Sequence, residues 1–145
     1  MRTLRKAYLE ITNVCNLSCA FCPGTRRPAS FLSPEDFHTL AAGLRPHTQY
    51  LYLHLMGEPL LHPWLDAVLS QAEELGFHVM LTTNGTLLGQ RQNLLLFRPA
   101  VKKVSVSLHS FEGSQREWLT DYLTECLSFA KAAGEAGKKC ALRLW

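Results

Sequence analysis

The sequence predicts an α/β fold: about five parallel strands with helices on the outside, forming a partial, open (β/α) barrel. Three observations predict it. Strand-like apolar runs alternate with helical patterns along the chain, and right-handed crossovers turn that alternation into a parallel sheet. The strands are also two-faced. An aliphatic set (Leu9, Ile11, Leu51, Leu53, Leu55, Val79, Leu81, Val104, Val106, Leu108, Leu142, Leu144) alternates with a mixed, often polar set (Tyr8, Glu10, Thr12, Tyr52, His54, Met56, His78, Met80, Thr82, Ser105, Ser107, Arg143). A sheet covered on both faces reads apolar throughout, and a closed barrel fills its middle with branched side chains. The mixed face is therefore expected to line a concave ligand cavity, while the aliphatic face packs under the helices. Finally, each distinctive short motif falls at the carboxyl end of a strand, where parallel α/β folds carry their sites.

Taken in order, residues 7–12 read as the first strand, ending at Asn13 before a cysteine-rich loop, and Pro23, Gly24 and Pro28 keep the next segment irregular. Ser33-Pro34-Glu35-Asp36 starts a helix, with Ser33 as N-cap, Pro34 at the first helical position and acids in the first turn. Its apolar stripe is Phe37, Leu40, Ala41 and Leu44, and Pro46 stops it. Residues 50–56 form the second strand, followed by Gly57-Glu58-Pro59. A second helix opens at Pro63-Trp64-Leu65, with Leu65, Val68, Leu69, Ala72 and Leu75 on one side and Gly76 past its end. Residues 77–82 form the third strand, closed by Thr83-Asn84-Gly85. A ragged helix over 87–97 follows, then a fourth strand over 103–108. Ser114-Gln115-Arg116-Glu117 reads as a capping box for a long helix through Trp118, Tyr122, Cys126, Leu127 and Ala130 to Gly134. The fifth strand spans 140–144.

The 145 residues, 47% hydrophobic and 19% charged, suit one globular domain over 1–145. A net charge of +3 is too mild to argue for nucleic acid. Arg26, Arg27, Lys102, Lys103, Lys138 and Lys139 come as scattered pairs, read as solvated surface. The uncharged apolar runs fall short of a membrane span. Cysteines without a secretory signal fit a reducing compartment, and cytoplasm is the expected location.

The strongest motif is Cys15-Asn16-Leu17-Ser18-Cys19-Ala20-Phe21-Cys22, a C-x3-C-x2-C triplet directly after the first strand. Three thiolates at this spacing can turn toward one point when the loop wraps around a group. Iron–sulfur clusters use such spacings, although a saturated four-iron cluster takes four cysteines. Cys126 and Cys140 lie far away and read as core. Structural zinc with a histidine as fourth ligand is the alternative; zinc sites usually show two paired motifs, and no second pair exists. His54, His62, His78 and His109 stay unassigned, as single histidines on a mixed face are more often hydrogen-bonded core or cavity wall.

The triplet resembles the cluster loop of radical S-adenosylmethionine (radical SAM) enzymes, and the resemblance extends over almost the whole chain through Gly57-Glu58-Pro59, Asn84-Gly85 and Ser107. It implies that Cys15, Cys19 and Cys22 bind a 4Fe-4S cluster with one open iron, to which the amino and carboxylate groups of SAM chelate. It further implies SAM contacts from Phe21 beside the adenine, from Gly57 and Glu58 near the amino group, and from Asn84 and Ser107. Each has a plainer alternative: loop packing for Phe21, turn residues for Glu58 and Asn84, a small polar strand residue for Ser107. Arg143 sits at the right end of its strand for a ligand contact, or is a surface cation.

The activity the resemblance implies is reductive cleavage of SAM to a 5′-deoxyadenosyl radical that abstracts hydrogen from a substrate, with an electron donor such as flavodoxin or ferredoxin. The phrasing of the motifs is most like members with a C-terminal auxiliary-cluster (SPASM-type) extension, which favours a peptide or protein substrate over a small metabolite. The family core has six strand–helix units, so residues 1–145 are expected to be a core truncated after the fifth strand. A non-catalytic zinc- or cluster-binding domain and a degenerate core are the rival readings.

Overall fold

In a computed structural model of the chain, residues 3–113 and 119–144 are described. One sheet contains β1 (Ala7–Tyr8), β2 (Tyr50–Tyr52), β3 (His78–Thr83), β4 (Val101–Ser107) and β5 (Lys139–Arg143), in the spatial order β1-β2-β3-β4-β5. All four pairings are parallel. The connecting helices are α1 (Pro34–Leu44), α2 (Leu65–Glu74), α3 (Leu88–Phe97) and α4 (Leu119–Glu135). Spatial order equal to chain order means that successive crossovers advance the same way, which puts the helices on one face and leaves the other free. A doubly wound sheet would reverse its order. The expected barrel segment is what forms.

The aliphatic face is the core. Leu51, Leu53, Val79, Leu81, Val104 and Val106 are buried, and pack with Phe37 and Ala41 of α1, Leu65, Val68, Leu69 and Ala72 of α2, Leu88 and Leu95 of α3, and Tyr122, Cys126, Phe129 and Ala133 of α4. Cys140 is half-buried against the same core, as expected. Ser33 caps α1 by accepting the Asp36 N–H at 3.1 Å, with Pro34 as the first helical residue.

Several expectations are corrected. The first strand closes after Tyr8, and the second after Tyr52, each several residues early. Beyond Tyr8 the chain pairs antiparallel with a returning segment: Thr12 bridges Phe31, and the Leu32 N–H donates to the Ile11 carbonyl at 2.8 Å. Beyond Leu53, the Met56 N–H is taken by the Glu10 carboxylate at 2.9 Å. Leu55 has therefore left the sheet and is 61% exposed. Leu142 and Leu144 lie on the edge strand and its end, exposed at 37% and 79%. Leu40 and Leu127 also face outward, and Phe129, which the reading omitted, takes the buried place on α4. A 3-10 turn, Pro59–Leu61, precedes α2, which starts at Leu65. A second, Leu108–Gly113, follows β4. The capping box at 114–117 and Trp118 lie outside the described residues.

His62 fastens the start of α2 to the loop ahead of α1. Its Nδ1 accepts the Trp64 N–H at 3.2 Å, so Nε2 carries the proton and donates to the Leu32 carbonyl at 3.0 Å. Burial holds its pKa below the usual value near 6.5, against two backbone carbonyls that raise it. The unfolded chain therefore takes up a proton that the folded chain refuses, so the stabilisation present above the ordinary histidine pKa is lost as pH falls. Thermal denaturation of the wild type is expected to show Tm falling from about pH 7 to pH 5. His62→Gln should have a lower Tm at neutral pH and a flatter profile; an equally steep profile in the variant refutes this assignment.

Candidate functional site

All eight residues singled out from the sequence line one cleft of about 540 Å³ at the carboxyl ends of the strands: Cys15, Cys19, Phe21, Cys22, Gly57, Glu58, Asn84 and Ser107. His54, Thr82, Thr83, His109 and Ser110 line it as well.

The cysteine loop is closed at its base by hydrogen bonds and an ion pair of the protein itself. The Asn13 side chain donates to the Pro28 carbonyl and accepts the Ser30 N–H, both at 2.8 Å, and the Thr12 hydroxyl donates to the Ser30 carbonyl at 2.9 Å. Arg27 pairs with Glu10 at 2.6 Å. Within the loop the Cys22 N–H donates to the Cys19 carbonyl at 3.0 Å, a tight turn joining the second and third cysteines. The three thiols are free, those of Cys15 and Cys22 exposed.

Gly57 and Glu58 lock that loop from the second strand's side. Gly57 has φ +79°, and a Cβ there would stand 2.6 Å from the Thr12 carbonyl oxygen and 2.8 Å from the Val14 oxygen. Glycine is needed because backbone meets backbone. The Glu58 N–H then donates to the Val14 carbonyl at 2.7 Å. The Glu58 carboxylate is 1% exposed and spent on the protein: Oε1 accepts from the Thr83 hydroxyl at 2.7 Å and the Leu60 N–H at 3.0 Å, Oε2 from the Asn84 N–H at 2.7 Å. Burial pushes its pKa up, and those three donors pull it back. It is not a surface turn residue.

Asn84 reaches the loop from the third strand's side. Its Nδ2 donates to Asn16 Oδ1 at 2.9 Å and lies 3.9 Å from the Cys15 sulfur, while its Oδ1 accepts from the Thr86 N–H at 3.0 Å. Tyr122 on α4 donates its hydroxyl to the Asn84 carbonyl at 2.7 Å. Sequence reasoning placed Tyr122 in the helix stripe but missed this contact; a tyrosine on a buried stripe, whose hydroxyl needs a partner, was the available signal. From the fourth strand's side, the Ser110 carbonyl lies 3.7 Å from the Cys19 sulfur, and His109 stands edge-on to Phe21 at 4.8 Å. Ser107 lines the cleft beside them.

The donor set suits a cluster. Burial and the two neighbouring cysteines raise the Cys19 thiol, with Ser110 opposing. Among the described residues, no three His, Cys, Asp or Glu side chains converge on a single metal ion. Three cysteine thiols on one loop are ligands of the kind iron–sulfur groups take. The histidines behave as cavity wall or core. His54 Nε2 shares a hydrogen bond with Thr82 Oγ1 at 3.0 Å, and burial, then Arg143 and Lys6, lower its pKa to about 4. His78 packs edge-on to Tyr50, away from the cleft.

Gly57→Ala is expected to unseat the cysteine loop, lowering stability by about 1–3 kcal/mol in urea denaturation and lowering iron incorporation. Normal iron content in a stably folded Ala variant refutes the close-packing argument. Tyr122→Phe, which removes the hydroxyl that donates to the Asn84 carbonyl and lies 3.5 Å from the Ser107 carbonyl, should cost about 1 kcal/mol with the secondary structure unchanged.

Comparisons with known proteins agree with this geometry. The model of the Radical SAM superfamily matches residues 9–144. A probable GTP 3',8-cyclase of Sulfurisphaera tokodaii is 32% identical over 142 residues, covering 94% of this chain and 45% of that protein. A probable GTP 3',8-cyclase of Pyrobaculum aerophilum is 28% identical over 122 residues, covering 82% and 39% respectively. The chain thus spans less than half the length of these relatives. Among solved structures, Streptococcus suis SuiB bound to S-adenosylmethionine superposes with TM-score 0.75 at 22% identity, over 97% of this chain and 33% of that one. BtrN in complex with AdoMet and 2-DOIA gives 0.72 at 24%, over 98% and 57%. At these identities the two structures speak for the fold.

Proposed function

The chain belongs to the Radical SAM superfamily, and on that premise we propose that its cleft holds a 4Fe-4S cluster and SAM and starts radical chemistry on a small, nucleotide-like substrate. The observation that carries the reading is the convergence of residues from four strand ends on one cleft. When bound, the two groups supply one electron and a 5′-deoxyadenosyl radical able to abstract hydrogen.

The chain's own part is ligation and positioning. Cys15, Cys19 and Cys22 hold iron. The backbone at Met56 and Gly57 offers a ligand amine its carbonyls, because the Glu58 carboxylate is already committed to Thr83, Leu60 and Asn84. Glu58 acts by holding loops together. Phe21, 53% exposed at the cleft, offers a ring face for adenine. Ser107 offers a hydroxyl, and Asn84 holds the loop beside Cys15.

The substrate class follows the relatives' names, which revises the peptide preference. GTP 3',8-cyclases and an S-adenosylmethionine-dependent nucleotide dehydratase of a Thermoplasmatales archaeon, 26% identical over 88 residues, act on nucleotides by name. The SuiB structure with a precursor peptide, at 22% identity, shares the fold. An external one-electron donor of the flavodoxin or ferredoxin class would reduce the cluster. No helix of the described residues is long and apolar enough to cross a membrane.

Anaerobic reconstitution is expected to give about four irons and four acid-labile sulfides per chain. Addition of SAM should change the magnetic resonance spectrum of the reduced cluster, and the Cys15→Ala, Cys19→Ala and Cys22→Ala variants should each lose iron. Stoichiometric zinc without sulfide refutes the reading in favour of a metal-binding domain.

A further inference from the structure

The face of the sheet turned away from the helices carries two lysines side by side. Register places Tyr8, Tyr52, Met80, Lys103 and Lys139 side by side across the five strands. Cys140 packs against the core, so by alternation Lys139, Ala141 and Arg143 occupy the opposite, open face. Val104 is likewise buried, and Lys103 stands opposite it. A register shift between Val79 and Met80 puts the extra residue, Lys102, in the bulge. Arg143 pairs with Ser107, one of the cleft residues, and its charge reaches His54. At the far edge, the Lys6 ammonium lies 5.1 Å and 5.2 Å from the ring centres of Tyr8 and Tyr52.

Among the described residues no ion pair neutralises these lysines. The carboxylate at a strand-parity position on this face is Glu10, which is paired with Arg27 and the Met56 N–H. Among the described residues no ion pair reaches Lys103, Lys139 or Arg143. Like charges directly opposite each other across a strand pair are destabilising. A charged residue on an edge strand can guard that edge against pairing, which accounts for Lys139. It does not account for Lys103, since β4 is flanked on both sides. Lys103 lies four residues below Ser107, about 13 Å along the strand. Lys103 and Lys139 thus stand two same-face steps below Ser107 and Arg143, with Ser105 and Ala141 between them.

We propose that Lys103 and Lys139, with Arg143 above them, bind the phosphate of the substrate, which enters with its reacting end at the cleft. The assignment of a substrate rests on the radical SAM reading of the cleft; the phosphate site itself does not. The required chemistry is a phosphate group, carried by a nucleotide or by a simpler phosphate ester.

The test is calorimetric titration of the reconstituted full chain with GTP, inorganic triphosphate and guanosine. It compares the wild type, Lys103→Gln/Lys139→Gln, and Lys102→Gln as a neighbouring control. GTP and triphosphate are expected to bind and guanosine not, with the double variant weaker by roughly tenfold or more and Lys102→Gln unchanged. Binding of GTP well above triphosphate identifies a nucleotide; equal binding identifies the phosphate alone. Iron, sulfide and SAM binding should be the same in all three proteins. Without ligand, the double variant should melt no lower than the wild type, because a repulsive pair is gone. Equal phosphate affinity in wild type and double variant, guanosine binding as tightly as GTP, or a lower ligand-free Tm in the double variant overturns the proposal. If no cluster forms yet lysine-dependent triphosphate binding persists, the cleft reading fails alone. If cluster and SAM bind but no phosphate does, the lysine site fails alone.

Discussion

The buried Glu58 carboxylate is the constraint on which the site depends. A carboxylate at 1% exposure is costly unless donors surround it. The three donors come from the 3-10 turn before α2 and from the Thr83-Asn84 turn after β3. The same residue's N–H holds Val14, one position before the first cysteine. One side chain and its own backbone thereby join three strand ends. Glycine at 57 is part of the same device, since only without a Cβ can this turn lie against the backbone of residues 12–14. Remove either, and the cysteines still exist but lose the wall against which they are held.

That device explains which parts of the site were legible in the sequence. Cysteine spacing, Gly-Glu-Pro and Asn-Gly are short-range signals, and the alternation of faces put them at one end of a parallel sheet without knowledge of any contact. What stayed hidden was the use of each side chain. Glu58 read as a ligand group or a surface turn, because sequence does not reveal burial at a strand end. Strands one and two were read too long. Their aliphatic residues continue the alternation, but the backbone of residues 11–13 is captured by the returning 30–32 segment, a competition between partners that periodicity cannot show. Lys102-Lys103 and Lys138-Lys139 looked like scattered surface pairs. Only the register of β4 and β5 sets Lys103 beside Lys139.

The two faces of the sheet divide the labour. On the helix side, burial of Leu51, Val79, Val104 and their neighbours supplies the stability that fixes the strand ends in space. On the open side, residues are polar, aromatic or cationic, and apart from Glu10 and Thr12, which tie the cysteine loop, they lie outside the aliphatic core. Residues there that the core does not use can be selected for other ends at some expense in stability, and the side-by-side Lys103 and Lys139 are of that kind.

This division bears on specificity. The parts that would touch the cluster and SAM are held by backbone contacts and by side chains already engaged with one another: Asn13 with Ser30, Asn84 with Asn16, Tyr122 with Asn84. A frame tied in this way has little freedom to discriminate among substrates, since changing any member loosens the cysteine loop. Discrimination must then come from positions that the frame does not use. On the described strands those are open-face residues such as Tyr8, Tyr52, Lys103 and Lys139 below the level of the cleft and Arg143 beside Ser107. Members of one superfamily can thus share the strand-end motifs while acting on different molecules.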